Sequence, residues 1–140
     1  MSWYSVSQTG LVGRMNPLRD KLAAAAQEAY DQWSQDENGE DPTLGGGGIC
    51  QDIAEAMAGV ISSAGIDCNT LEAQVGDQHV WAMAWDENEG LHVDISPYKY
   101  ERGSGYSWKK VPGVVFSGDD IEIYPADTNV VDAAREGRLD

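Results

Sequence analysis

The chain has 140 residues, 41% of them hydrophobic and 24% charged, which is enough apolar content to fold and excludes an intrinsically disordered class. Twenty-four acidic against nine basic residues give a formal charge of -15, and a polyanion of this kind repels phosphate backbones, so no nucleic-acid partner is expected. No stretch of about 18 apolar residues occurs, and the first residues lack a basic region followed by an apolar core, so neither a membrane nor an export signal is expected and the expected compartment is the cytoplasm.

One domain over residues 1–140, with its core at about 17–125, suits this length and needs neither disulfides nor metals. The two cysteines, Cys50 and Cys68, are expected as free thiols, because one bridge would be a sparse framework for a secreted domain of this size.

In chain order, Asn16-Pro17 offers a helix cap and a first-turn proline. Leu18, Leu22, Ala25, Ala26, Ala29, Tyr30 and Trp33 then recur at helical spacing, which predicts a helix over 17–34. The acidic stretch 35–44, with Gly39 and Pro42, reads as an exposed loop, and the glycine run 45–48 as a bend. Ile53, Met57, Val60, Ile61 and Ala64 form an apolar helical face, so a second helix begins near Cys50 and stops at Gly65.

Leu71, Ala73 and Val75 alternate, and 78–85, 91–95 and 114–124 follow as further extended segments, which together predict an antiparallel sheet of about four strands. The run 96–110, holding Pro97, Tyr98, Tyr100, Tyr106 and Trp108, reads as an aromatic loop. For 128–135 a short helix and a frayed tail stay open as alternatives. The fold class is α+β: N-terminal helices packed on an antiparallel sheet.

Strand register supplies a geometric argument about chemistry. Directly opposed residues of an antiparallel pair share a face, and a slip of one residue exchanges the faces. Pairing Val80 with Ile95, Ala82 with Val93 and Ala84 with Leu91 gives a continuous apolar side. The other side then holds His79 and Asp94 as diagonal neighbours, which sheet twist brings within hydrogen-bond reach. Cys50, at a helix start, sits where unpaired N–H groups and the helix dipole favour negative charge on sulfur, and a neighbouring imidazolium favours it further. The glycines before it let a substrate approach the backbone closely.

On these residues the chain resembles a known family. Gly48-Ile49-Cys50-Gln51-Asp52-Ile53-Ala54 resembles the G-x-C-x-D-x-A helix start of transglutaminase-like proteins, a branch of the papain-like fold. His79-Val80-Trp81 resembles the family's H-x-W, and Asp94-Ile95-Ser96 its D-x-[ST] strand ending, in the same order. The resemblance covers residues 17–98. It implies a papain-like core, with Cys50 as nucleophile, His79 as base and later acid, and Asp94 holding the imidazole.

The implied activity is acyl transfer on an amide of a peptide, isopeptide or glutamine side chain, with hydrolysis favoured over transamidation and no cofactor. The implied partner is a peptide or protein substrate, and Gln51, Trp81 and Gly48 are the expected substrate contacts. The Cys50 amide is the first oxyanion donor, while Gln51, Trp33 and Thr43 compete for the second. Two other functions stay open at this stage: a catalytically silent binding or assembly module with the same fold, and a metal site using Cys50, His79, His92 and Asp94.

Overall fold

The computed structural model describes residues 10–36, 49–73, 79–102, 109–110 and 113–137. It is an α+β structure built on a four-stranded antiparallel sheet. The helices are α1 (Leu11–Met15), α2 (Arg19–Asp36), α3 (Ile49–Ser63) and α4 (Thr128–Arg135). The strands are β1 (Asp67–Ala73), β2 (His79–Trp85), β3 (Gly90–Asp94), β4 (Glu101–Arg102), β5 (Lys109–Lys110) and β6 (Glu122–Pro125), with β1-β2-β3-β6 as the order of the main sheet. No described helix is long and apolar enough to cross a membrane.

Helical structure begins at Leu11, not at Pro17 as the periodicity predicts. Leu11 and Met15, one turn apart, are both fully buried. A 3-10 turn, Asn16–Leu18, joins α1 to α2, and Pro17 lies in its first turn, a position its fixed φ suits. Helix α3 buries Ile49, Ile53, Met57 and Ile61 along one stripe, with Cys50 and Ala54 beside it, and Ala64 lies outside that face, exposed.

Gly65 stops α3 in the left-handed region at φ 81°. Its N–H donates to the Ser62 carbonyl at 3.0 Å and that of Ile66 to Ile61 at 3.3 Å, the paired bonds of a Schellman ending.

Strands β2 and β3 adopt the register that the apolar pairing predicts, Ala82 opposite Val93 and Ala84 opposite Leu91. The side made by Val80, Ala82, Ala84, Leu91, Val93 and Ile95 belongs to the main core together with α2 and α3. The hairpin turn is fixed by Asp86, whose Oδ1 accepts from the N–H groups of Asn88 and Glu89, each at 2.8 Å. On the opposite side Met83 packs with Val131 and Ala134 of α4 in a second, smaller core. That packing decides between helix and frayed tail for 128–135: Asp127 caps α4 by accepting from the Val130 N–H at 3.0 Å.

Two segments depart from expectation. Of the predicted strand 114–124 only the last residues join the sheet, as β6. Side chains of α2 satisfy the backbone of the rest. Gln27 donates to the Val114 carbonyl at 3.2 Å and accepts from the Phe116 N–H at 2.8 Å, and Arg19 donates to the Ile121 carbonyl at 2.6 Å and that of Gly118 at 3.2 Å. A segment whose polar groups are met this way has no need of a ladder.

The aromatic loop 96–110 carries structure where described: a 3-10 turn at Pro97–Lys99 and the β4–β5 pair. Tyr100 is 1% exposed and packs edge-on against Tyr30 and Phe116 in the core, whereas Tyr98 is 63% exposed. Val75, Tyr106, Trp108 and the glycine run 45–48 lie outside the described residues.

Candidate active site

The three elements that matter are the start of α3, the start of β2 and the end of β3. Antiparallel pairing brings the first residue of β2, His79, to the same end of the sheet as the last residue of β3, Asp94. Continuing the register places Asp94 opposite Trp81 and diagonal to His79. The contact is a hydrogen bond in which His79 Nε2–H donates to Asp94 Oδ2 at 2.7 Å. The second carboxylate oxygen, Oδ1, accepts from the Ile95 N–H at 2.8 Å, so Asp94, 7% exposed, is held at both oxygens.

The other partner of the His79 side chain is the side chain of Cys50. With Nε2 engaged by Asp94, the ring nitrogen left for sulfur is Nδ1. Cys50 is the second residue of α3 and 4% exposed, packed in the main core, while the His79 side chain keeps 20% exposure.

Burial alone would lower the His79 pKa. Hydrogen bonding to Asp94 and to Cys50, with the electrostatic pull of the Asp94 carboxylate, overcomes burial and raises it to about 9. At neutral pH the ring is therefore an imidazolium between a carboxylate and a sulfur.

The expected substrate contacts fall in different places. Gln51 is exposed and its Nε2 donates to Glu55 Oε1 at 3.1 Å, along the surface of its own helix. Trp81 lies against the His79 ring, with centroids 5.6 Å apart and planes 24° apart. Gly48 and Thr43 lie outside the described residues. Trp33 is 4% exposed within the core that holds Cys50, and among the described residues its Nε1 is the one buried side-chain polar atom without a hydrogen-bond partner.

His92 and Tyr124 are near the site and were not singled out by sequence for a role beside the triad. Trp81 Nε1–H donates to His92 Nδ1 at 2.9 Å, and the His92 ring meets Tyr124 at 5.1 Å between centroids. The signal for this existed: Met83 opposite His92 makes Trp81 and His92 diagonal neighbours, the same relation that joins His79 to Asp94.

The bond from Trp81 takes the Nδ1 lone pair of His92 and leaves the proton of the neutral ring on Nε2, so neither nitrogen offers a lone pair to a metal while it stands. Among the described residues no group of three His, Cys, Asp or Glu side chains is arranged to hold an ion. Cys68 is free, donates to the Ala58 carbonyl at 3.2 Å, and has its thiol pKa raised by burial, which disfavours the thiolate.

Comparison with protein-family models, with curated proteins and with solved structures gives no match to this chain.

Proposed function

We propose that this chain is a thiol-dependent acyl-transfer enzyme with a papain-like, transglutaminase-like core, and that Cys50, His79 and Asp94 are its triad. The observation that carries the proposal is His79, held by Asp94 through Nε2 at 2.7 Å and partnered by the Cys50 side chain. The arrangement suits a nucleophile, an acid–base histidine and an orienting carboxylate.

In the first half-reaction the Cys50 sulfur attacks the carbonyl carbon of an amide and forms a C–S bond. The C–N bond then breaks, and the imidazolium gives its Nδ1 proton to the departing amine. In the second half-reaction the neutral ring takes a proton from water as the hydroxyl adds to the thioester. Collapse expels the sulfur as thiolate and restores the charged pair. Water is the favoured acceptor, and the substrate is a peptide, isopeptide or glutamine-like amide on a peptide or protein.

The developing oxyanion needs donors. The first amides of α3, that of Cys50 among them, have no intrahelical carbonyl to serve. For the second donor the unpartnered Nε1–H of Trp33 is the best supported of the three residues considered, since a buried N–H without an acceptor is costly unless an acceptor arrives.

The 4% exposure of Cys50 favours the second reading, a binding or assembly module that keeps the fold without catalysis. Carboxamidomethylation of Cys50 separates the two. A working triad gives a rate at pH 7 that falls roughly 10²-fold in His79→Ala, and a thioester adduct on Cys50 after exposure to amide substrates. A rate that His79→Ala leaves unchanged would falsify the catalytic reading.

A further inference from the structure

Along one face of the sheet, four rings follow one another: His79, Trp81, His92 and Tyr124. Trp81 lies nearly parallel to His79 at 5.6 Å, Trp81 and His92 meet edge to face at 5.9 Å, and His92 and Tyr124 meet at 5.1 Å. Only one contact within this row is a directed bond, Trp81 Nε1–H to His92 Nδ1 at 2.9 Å. An indole nitrogen can only donate, so His92 Nδ1 must be bare and any proton on the neutral ring sits on Nε2.

We propose that His92 is a positioning residue for His79 and acts through Trp81: by accepting the indole N–H it fixes the plane of Trp81, and that plane sets the orientation of the imidazole between Cys50 and Asp94. The inference rests on the reading of Cys50, His79 and Asp94 as a triad. Stacking leaves His79 free to turn about its Cβ–Cγ bond only as far as the indole allows, and the Asp94 bond then selects one orientation.

The device has a built-in condition. Protonation of His92 at Nδ1 turns the acceptor into a donor facing another donor, the bond is lost, and Trp81 is released from its fixed plane. Against the charged ring stand burial, which lowers the His92 pKa, and in the opposite direction the carboxylates of Asp127, at the cap of α4, and Asp94, on its own strand. The remaining group facing it with a titratable proton is the Tyr124 hydroxyl on β6, whose own pKa is raised by burial and by Asp94 and Glu122. The bond therefore persists at neutral pH and breaks on the acid side.

The test follows the ring resonances of both histidines by proton–nitrogen correlation spectra between pH 4 and 10, together with the carboxamidomethylation rate of Cys50, in the parent and four variants. In the parent the His79 resonances are expected to titrate near pH 9 and to show a second, acid-side inflection that coincides with His92.

His92→Gln, whose amide oxygen accepts the indole proton and does not titrate, keeps the neutral rate and removes that inflection. His92→Phe accepts nothing, and lowers the rate roughly tenfold to hundredfold. Trp81→Phe retains a ring but no N–H, and uncouples His79 from the His92 titration.

The proposal is overturned if the acid-side inflection of His79 survives Trp81→Phe, or if His92→Phe leaves both the His79 spectrum and the rate as in the parent. A parent in which Cys50 reacts no faster than in His79→Ala, with the coupled inflection present, overturns the catalytic reading and supports the Trp81 link.

Discussion

The two faces of the central sheet use the same backbone for opposite ends. The face toward α2 and α3 is a continuous apolar surface in which Ala82, Ala84 and Val93 have no exposure, and any residue of similar shape and polarity serves there. The other face carries His79, Trp81, Asp94, His92 and Tyr124, where two directed bonds, His79 to Asp94 and Trp81 to His92, each depend on particular atoms. The first face fixes register by burial, and the second inherits its geometry from that register. The difference teaches that apolar pairing on one face places the polar side chains of the other, while Cys50 of the proposed site sits within the apolar core itself.

Substitutions on the two faces should therefore separate stability from titration. Met57→Ala, in the stripe of α3 that is fully buried, is expected to cost about 2–5 kcal/mol in denaturant unfolding through the cavity it leaves. The His79 titration near pH 9 should stay where it is. A shift of that titration in the still-folded variant would mean that the apolar face tunes the site and does not merely carry it.

Asp94→Asn is the converse. Removing the charge should cost less, about 2 kcal/mol, yet bring the His79 pKa down from about 9 toward its usual range, read from ring resonances.

A third substitution probes the segment where sequence pattern failed. Gln27→Ala removes both bonds that α2 makes to Val114 and Phe116, and about 1 kcal/mol should be lost, with amide exchange accelerating at Phe116 and the His79 spectrum unmoved.

Most of the architecture that positions the proposed site was legible, because it follows from local periodicity: the stripe from Ile53 to Ile61, the left-handed stop at Gly65, the alternation from Val80 to Ala84. What escaped involved side chains satisfying distant backbone. Gln27 and Arg19 look like ordinary helix-surface residues, and nothing in residues 114–121 announces that a helix will serve their carbonyls and amides.

Leu11 and Met15 escaped for a different reason: two apolar positions one turn apart, with Gly13 between them, fall below any periodicity test. The Trp81–His92 bond follows from the same register that pairs His79 with Asp94, since both pairs are diagonal neighbours across β2 and β3.

The pH dependence of stability is the most diagnostic readout of the polar face, because its two histidines are the only ones in the chain and are shifted in opposite directions. For His79 the folded pKa, about 9, exceeds the unfolded value of 6.5. Its contribution to stability is therefore complete below pH 6.5 and is lost as pH rises from there through 9. For His92 the folded pKa lies below 6.5, so the unfolded chain takes up a proton first and stability is lost as pH falls below 6.5.

The difference in unfolding midpoint between parent and His79→Gln should accordingly narrow from pH 6.5 to pH 9. The difference between parent and His92→Gln should instead change below pH 6.5, where the parent weakens and the variant does not. Parallel curves for either pair across its own window would show that the ring in question has the same proton affinity folded and unfolded. Parallel curves for His79 alone would show that burial of the ring fully offsets the bonds to Asp94 and Cys50 in setting its proton affinity.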